Sequence, residues 1–303
     1  MATFSPALEP EFVPDSQYEV GEAISVWRDT WRRLARNRFA VFGLCFIGLL
    51  IVVAVVAQFW TPYPIYAQGL GRIYAGPSLK HPLGLDQVGR DILSRLMVGA
   101  GIAVAVGLGT ALLSSIIGIA LGLLAGFYRG WVDSVITLVI NVWYGIPDLL
   151  FVMLLVVILQ SRDLKFIILA ISLTAWLNMA RLVRGQTLSL REREFVEAAR
   201  SIGTRDLALL WRHILPNALG PIIIQASFLV PSAIIFEAFL SYLGFGVPPP
   251  QPSWGAMSAE GFQSLQLAPH VVLIPAFALS ITLVALNAFG DGLRDAIDPR
   301  MRR

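Results

Sequence analysis

Charged residues are scarce in this sequence, and their scarcity excludes an ordinary soluble domain. Asp, Glu, Lys and Arg make up only 14% of the 303 residues, whereas soluble domains carry about a quarter. Hydrophobic residues make up 56%. Cysteine is nearly absent as well. The single Cys45 excludes a disulfide framework, and its place in an apolar run predicts a packed or lipid-facing side chain. The composition indicates an integral membrane protein.

The sequence also lacks recognisable catalytic motifs. The histidines His81, His213 and His270 fall on separate segments, and the sequence has no HExxH, no Gly-x-Ser-x-Gly and no P-loop. We therefore predict no catalytic residue, no metal site and no cofactor in this chain, and no ATP hydrolysis or intramembrane catalysis by it. A secondary transporter working alone would need several paired charges within its spans. Apart from Asp148 and Glu237 such charges are lacking, so this is the less favoured alternative.

Six apolar stretches are long enough for membrane-spanning helices, which need about 20 residues each. The predicted spans cover residues 39–60, 99–126, 132–160, 166–184, 217–240 and 270–289. The third is interrupted by Gly145 and Pro147. The second carries Gly118, Gly122 and Gly126 at four-residue spacing, which predicts close packing of another helix. The sequence thus predicts an all-α integral membrane protein with six transmembrane helices.

The basic residues predict the orientation of the chain. Seventeen of the 23 Lys and Arg residues lie before the first span, in or beside the second-to-third and fourth-to-fifth connections, or after the sixth span. By the positive-inside rule these segments are cytoplasmic, which predicts a multi-pass protein of the plasma (inner) membrane with both termini in the cytoplasm. The N-terminal residues lack the cationic and apolar regions of a signal peptide.

The same pattern divides the chain into parts. We expect a disordered cytoplasmic tail, an amphipathic interfacial helix, the first transmembrane helix, an external loop, a core and a second cytoplasmic tail, over residues 1–26, 27–38, 39–60, 61–98, 99–290 and 291–303. Within the external loop, a Gly-rich turn is expected to lead into a short amphipathic helix before the second span begins.

Residues 197–216, EAARSIGTRDLALLWRHILP, interrupt the apolar chain with a polar, Arg-rich helical pattern. Gly203 can adopt a positive φ and turn the backbone. Pro216 is expected to stop the run before it and to suit the first turn of the next helix. Two short helices joined at a glycine on the cytoplasmic side would form a docking surface.

The spacing in this stretch resembles the EAA loop of ABC-importer permeases, to which the cytoplasmic ATPase subunits bind. The resemblance implies a coupling loop over residues 190–216, with the coupling residues Glu197, Ala198, Ala199, Gly203, Leu215 and Pro216. The two alanines would let the helix sit deep in a groove of the partner. The loop departs from the family pattern at His213, where Ile is usual; Ile214 follows one place later.

Longer stretches narrow the resemblance. Residues 83–95, 182–200, 213–255 and 290–299 are similar to the C-type permease subunits of dipeptide and oligopeptide importers. The resemblance implies a type-I ABC importer permease fold, with a first helix outside a five-helix core, and a path for peptides; some relatives carry nickel or glutathione. It also implies the partners: a second, B-type permease in a heterodimer, two cytoplasmic ATPases that bind ATP and Mg, an external substrate-binding protein and membrane lipid, with no nucleic acid.

Two acidic residues in the spans are candidate path-lining residues. Asp148 would cost about 2.5–3.5 kcal/mol if it faced lipid, so it must face protein or water. It either lines the path and meets the α-amino group of a peptide, or it caps the half-helix after Pro147 or pairs with an arginine such as Arg181. Glu237, near the outer end of the fifth span, is either a gate or path residue or a partner for an outer-side arginine such as Arg90 or Arg95.

A second outer loop, residues 244–270, contains no Lys or Arg and carries a proline run. Its prolines should hold it stiff. It is expected to present a fixed surface to a docking protein, to cap the mouth of the path rigidly, or to do both.

Overall fold

The computed structural model describes residues 26–297. Most of the predicted N-terminal tail and residues 298–303 lie outside this range. The described chain is helical, and its only strand-like feature is an isolated bridge between Leu85 and Asp91. In order, the helices are α1 (Val26–Arg36), α2 (Arg38–Phe59), α3 (Ile92–Tyr128), α4 (Gly130–Tyr144), α5 (Asp148–Leu159), α6 (Leu164–Arg191), α7 (Glu194–Ser201), α8 (Asp206–Leu209), α9 (Leu215–Tyr242), α10 (Trp254–Phe262) and α11 (His270–Ile297).

Five of the helical segments are long and apolar enough to cross a membrane: α2, α3, α6, the continuous segment from α8 to α9, and α11. The predicted third span is instead the pair α4 and α5, which meet at an angle of 88°. Pro147 causes the break, because it cannot donate a backbone hydrogen bond and disfavours helical geometry in the residue before it. The predicted all-α membrane fold is confirmed with five spanning segments, and the bent pair α4–α5 is a broken span or a re-entrant loop in place of the predicted straight third span.

Helix α3 corrects the prediction of a short amphipathic helix followed by a separate span. The Asp91 side chain caps the helix by accepting from the Ser94 backbone N–H at 2.8 Å, and no break follows over 37 residues. At 1.5 Å per residue the helix is about 55 Å long, well beyond the roughly 30 Å hydrocarbon core. Its first turns therefore belong to the loop region rather than to the span.

The glycine stripe of α3 lies directly against α6, as predicted. A Cβ atom added at Gly118 would lie 2.6 Å from the Met179 Cβ, one at Gly122 2.7 Å from the Ala180 carbonyl oxygen, and one at Gly126 2.6 Å from the Thr187 Cβ. These distances are too short for real Cβ contacts. Glycine is therefore required for the two helices to approach this closely.

Helices α1 and α2 pack on α11 at the edge of the bundle. A Cβ at Gly43 would meet the Ala285 carbonyl oxygen at 2.4 Å, and one at Gly292 would meet the Ala40 Cβ at 2.3 Å. Leu34 of α1 is buried in a small cluster with Ala40 and Ala296. Many apolar side chains of α2 remain exposed, as expected of a helix that faces lipid on its outer side.

The Gly122 contact can be tested by stability. Replacing Gly122 with Ala should destabilise the fold by about 1–3 kcal/mol, because the new methyl group meets the backbone of α6 and cannot be relieved by a rotamer change. Gly48→Ala is the matched control, since nothing lies within 4 Å of a Cβ there. Thermal unfolding of the detergent-solubilised protein should show a lowered midpoint for Gly122→Ala only; equal midpoints would contradict the close α3–α6 contact.

Candidate functional site

The polar stretch after α6 folds as the predicted pair of helices around a glycine. Helix α7 ends where Gly203 adopts a φ of +86°. The Gly203 N–H donates to the Arg200 carbonyl at 2.9 Å, and the Thr204 N–H donates to the Ala199 carbonyl at 3.1 Å. These bonds satisfy carbonyl groups at the end of α7. The chain then turns into α8 at Asp206.

The inner side of this stretch is anchored in the chain's own core. Val196, Ala199, Leu209 and Ile214 are buried in one cluster with residues from the ends of α3 and α6. The prediction that both alanines fit a groove of the partner is therefore wrong for Ala199, which is only 6% exposed. Its small side chain lets α7 lie close to its own bundle instead.

The outer side of the stretch is exposed and mixed in character. Glu197 and Ala198 face outward on α7, and neighbouring large apolar side chains are exposed, including Ile202 at 85% and Leu207 at 65%. We call this side the coupling surface, formed by Phe195, Glu197, Ala198, Ile202, Leu207 and Trp211. Clustered exposed apolar side chains of this kind mark a contact with another protein or with a membrane.

Pro216 does not end the preceding helix, in contrast to the prediction. A π turn, Leu210–Ile214, joins α8 to α9 without a break. The Leu215 N–H donates five residues back to the Leu210 carbonyl, and Pro216 falls in the first turn of α9, where its missing N–H is tolerated. The result is a single 37-residue segment, Asp206–Tyr242, which we call the α8–α9 rod. It connects the coupling surface to the far end of the span.

Ile214 takes the apolar role that the family pattern assigns to position 213, where this chain has His213. Ile214 is fully buried in the core cluster, whereas His213 is half-buried and lies within the π turn. The His213 carbonyl accepts from the Asn217 side-chain amide at 2.7 Å. Ile214 therefore supplies the apolar anchor at this end of the rod.

Facing sides of α4 and α6 carry a row of polar pairs. Three pairs follow one another along the two helices: Arg184 donates to both carboxylate oxygens of Asp133 at 2.5 and 2.7 Å, Arg181 donates to Asn141 at 3.0 Å, and the Tyr144 hydroxyl donates to Asn178 at 2.5 Å. The Arg181 guanidinium also stacks 4.0 Å from the Tyr144 ring centroid. We call this row the polar ladder. Sequence reasoning missed it, although its signal was polar residues three apart on α6, at 178, 181 and 184, and polar residues on one side of α4, at 133, 141 and 144.

Asp148 lies next along the row, at the first residue of α5. It is exposed, and no residue in the described part of the chain forms a hydrogen bond or ion pair with its carboxylate. The predicted alternative of a pair with Arg181 is wrong, because Arg181 binds Asn141 and Tyr144 instead. Because its carboxylate forms no hydrogen bond in the described part of the chain, it does not cap the N-terminus of α5 in that way either.

Asp148 lines a cavity of about 180 Å³ between α4, α5, α6 and α9. Its polar wall consists of Tyr144, Asp148, Thr174, Asn178, Gln225 and Ser232. Apolar side chains such as Phe228 and Phe236 complete the lining. Polar groups at membrane depth must face protein or water rather than lipid, so this cavity marks the side of the chain that does not face lipid.

Glu237 is buried between α9 and the start of α10. It is 3% exposed, accepts from the Ser241 hydroxyl at 2.5 Å and interacts with Ser253, the N-cap of α10. It is not part of the cavity wall. The predicted pairing with Arg90 or Arg95 is wrong, since both arginines have other acidic partners. A role for Glu237 as a gate stays a prediction.

The partners of those arginines form a largely buried charge network at the loop before α3. Asp86, 1% exposed, accepts from the Arg90 Nε at 2.6 Å and from the Arg95 Nη1 at 2.5 Å. Glu260 of α10 accepts from the other ends of the same guanidinium groups, at 2.6 Å from Arg90 and 3.0 Å from Arg95. The network fastens the loop before α3 to α10. Sequence reasoning noticed the motif in residues 83–95 but not this role.

The proline loop has one packed and one open side. Trp254 is buried, and its indole N–H donates to the Leu96 carbonyl of α3 at 3.0 Å. Pro249 and Pro250 are exposed. A rigid attachment to α3 and an open outer surface therefore coexist in this loop.

The charge network at Asp86 predicts a large loss of stability from a single substitution. Asp86→Asn should destabilise the protein by about 3–5 kcal/mol, because the buried Arg95 and the partly buried Arg90 lose a carboxylate they share. Asp163→Asn is the control, since Asp163 is exposed and its side chain makes no capping hydrogen bond. Unfolding midpoints in detergent measure both; a neutral Asp86→Asn would show that the network does not hold the loop.

Comparison with known proteins identifies matching families and relatives. The family described as binding-protein-dependent transport system inner membrane component matches residues 118–303, and the N-terminal TM domain of oligopeptide transport permease C matches residues 25–77. The chain is similar to the oligopeptide transport system permease protein OppC of Bacillus subtilis strain 168, with 40% identity over 93% of this chain and 92% of that protein.

Two further relatives are similarly close. The dipeptide transport system permease protein DppC of Bacillus subtilis strain 168 is 41% identical over 93% of this chain and 88% of its own length. The glutathione transport system permease protein GsiD of Pectobacterium atrosepticum is 41% identical over 91% of this chain and 92% of its own. Among solved structures, a chain of the MetNI methionine ABC transporter in an inward-facing conformation matches with a TM-score of 0.54 and 19% identity, over 67% of this chain and 96% of that one. This likeness confirms the predicted ABC importer permease fold.

Proposed function

This chain belongs to the family of binding-protein-dependent transport system inner membrane components, and we propose that it is the permease subunit of an ATP-driven peptide importer. The relatives named for oligopeptides, dipeptides and glutathione support peptides as cargo, since glutathione is itself a peptide. Together with a second permease, the chain would form the path for cargo delivered by an external binding protein. Nickel, carried by some members of the group, is the alternative cargo.

The coupling surface is the observation that carries this proposal. It exposes apolar side chains around Glu197 on helices that are anchored from behind by Val196, Ala199 and Ile214. An exposed contact surface on a well-packed base can transmit force instead of deforming. Two cytoplasmic ATPases, which would bind ATP and Mg, are its proposed partners.

The α8–α9 rod supplies the connection to the path. Its cytoplasmic end contributes Leu207 and Trp211 to the coupling surface, and further along it Gln225 and Ser232 line the cavity. Closure of the ATPases would therefore move one wall of the cavity directly, switching the path between inward-open and outward-open. Gly203 would act as the joint between α7 and the rod, and Leu215 and Pro216 would transmit movement within the rod, next to its π turn. No residue of this chain would perform covalent chemistry.

The polar ladder and the cavity indicate which face meets the second permease. Lipid cannot solvate exposed groups such as Asp148 and Asn178, so this face would be covered by the other permease and by the water-filled path between the two chains. The external binding protein would dock on the opposite side of the membrane from the coupling surface, where the proline loop has its open surface. Both termini would lie in the cytoplasm, on the side of the coupling surface, in agreement with the distribution of basic residues.

Reconstitution tests the proposed function. The chain, its permease partner, the ATPases and the binding protein should together show ATP hydrolysis that is stimulated by loaded binding protein, and ATP-dependent uptake of labelled peptide into proteoliposomes. Absence of both would contradict the importer function.

The coupling surface is tested by charge substitutions within it. Ile202→Glu and Glu197→Lys should each reduce ATPase co-purification and uptake by about tenfold or more, because both disturb the centre of an exposed contact. Ala35→Glu in α1 is the control, since it adds a charge at an exposed site outside the coupling surface. Normal ATPase binding by both coupling variants would show that the ATPases bind elsewhere.

A further inference from the structure

We propose that the cavity at Asp148 is a subsite for a protonated primary amine, which in a peptide importer is the amino terminus of the cargo. The proposal rests on the proposed function and adds to it the group of the cargo that the cavity recognises. The geometry that supports it lies in the carboxylate, in the hydroxyl groups around it and in the size of the space.

The carboxylate of Asp148 lacks a resident cation. No Lys, Arg or His lies on the cavity wall, and Arg181 of the polar ladder binds Asn141 and Tyr144 instead. The other acidic side chain on this face, Asp133, has an arginine partner, Arg184. An exposed carboxylate at membrane depth is stabilised by water or by a cation. The described chain supplies no cation here, so a cation that binds Asp148 comes from outside the chain.

The hydroxyl groups on the wall are arranged to accept hydrogen bonds. The Thr174 hydroxyl donates its proton to the Ile171 carbonyl at 2.9 Å, and the Ser232 hydroxyl donates to the Phe228 carbonyl at 2.8 Å. The Tyr144 hydroxyl donates to Asn178 at 2.5 Å. With their protons engaged, all three oxygens have lone pairs left over as acceptors. The wall thus offers one carboxylate and several acceptors, which match the three N–H donors of a primary ammonium group.

The remaining polar groups suit the peptide bond that follows such an amine. The side-chain oxygen of Asn178 already accepts from the Tyr144 hydroxyl, so the side-chain N–H groups of Asn178 remain as donors. Gln225 adds a second side-chain amide on the rod. A cavity of about 180 Å³ has room for several waters at roughly 30 Å³ each, and so for an ammonium group and the first atoms that follow it.

The proposal is tested with matched cargo pairs in the reconstituted importer. One cargo is a labelled tripeptide with a free amino terminus, and the other is its N-acetylated form. For each cargo, the concentration of binding protein is set above the dissociation constant measured for the complex of the binding protein with that cargo. Asp148→Asn should lower uptake of the free-amine peptide by about tenfold, the effect of losing a hydrogen bond to a charged group. Uptake of the N-acetylated peptide should change by less than about twofold, because that cargo carries no ammonium group.

Two further variants separate recognition from folding. Asp148→Glu keeps the carboxylate and should restore part of the preference for the free amine. Asp163→Asn makes the same chemical change at an exposed position outside the cavity and should leave both cargoes unaffected. Co-purification of the second permease and the ATPases should be unchanged in all three variants.

Specific outcomes would overturn the proposal. Equal loss of uptake for both cargoes, or no loss for either, would show that Asp148 does not recognise the amine. Loss of the second permease on purification of Asp148→Asn would show that the carboxylate pairs with a cation of that partner. If the unmodified assembly shows no ATP-dependent uptake of either cargo, the proposed function itself fails, which is a different result from uptake without amine discrimination.

Discussion

A charge must be compensated wherever water is excluded, and this requirement organises the whole chain. Beside the start of α3, Asp86 and Glu260 hold the buried Arg95 and the partly buried Arg90 between the loop before α3 and α10. Between α4 and α6, the polar ladder matches each arginine with an acid or an amide. Asp148, next to this ladder in the described part of the chain, has a cavity instead of a charged partner. The paired charges build the frame, and the unpaired carboxylate marks a place where the chain can bind another group.

The frame is held rigid by backbone contact more than by large side chains. Glycines bring α3 against α6 and α2 against α11 at distances that leave no room for a methyl group. Interfaces of this kind are typical of helices in membranes, where apolar side chains gain nothing by leaving lipid for protein and close van der Waals packing has to provide the stability. Such interfaces resist deformation, so movement is expected at the bends and turns instead: at Gly203, at the π turn and at Pro147.

Most of the spans were predictable because a helix in hydrocarbon must bury about 20 apolar residues in a row, which leaves a direct trace in the sequence. The positive φ of Gly203 and the glycine stripe of α3 were predictable for a similar reason, since each depends on one residue type. The continuity of α3 and of the α8–α9 rod was not. Proline at the start of a helix and proline after a π turn have the same local pattern, and only the packing of Leu209 and Ile214 into the core selects the continuous form.

Charge pairing was the least predictable feature, because each charge had several candidate partners at similar distances along the sequence. Glu237 and Arg95 lie near the same surface, yet Arg95 reaches Asp86 and Glu260 while Glu237 is satisfied by hydroxyl groups. The prediction for Ala199 was wrong for a related reason. The motif indicates that this position needs a small side chain, but it does not indicate which neighbouring residue requires it. In both cases the deciding information is the three-dimensional neighbourhood, which local spacing does not contain.

The break at Pro147 explains how an acidic side chain can stand at membrane depth without a resident arginine. It ends α4 and makes Asp148 the first residue of a new helix, where the helix dipole stabilises negative charge by about 0.3–1 kcal/mol. That is much weaker than a permanent ion pair, in which the carboxylate would stay bound to its partner. A site on a transport path has to bind its cargo and release it again in each cycle. Partial stabilisation by a helix end leaves the carboxylate available for an exchangeable cation, and the bend that provides it lies beside the rod whose movement would open or close the cavity.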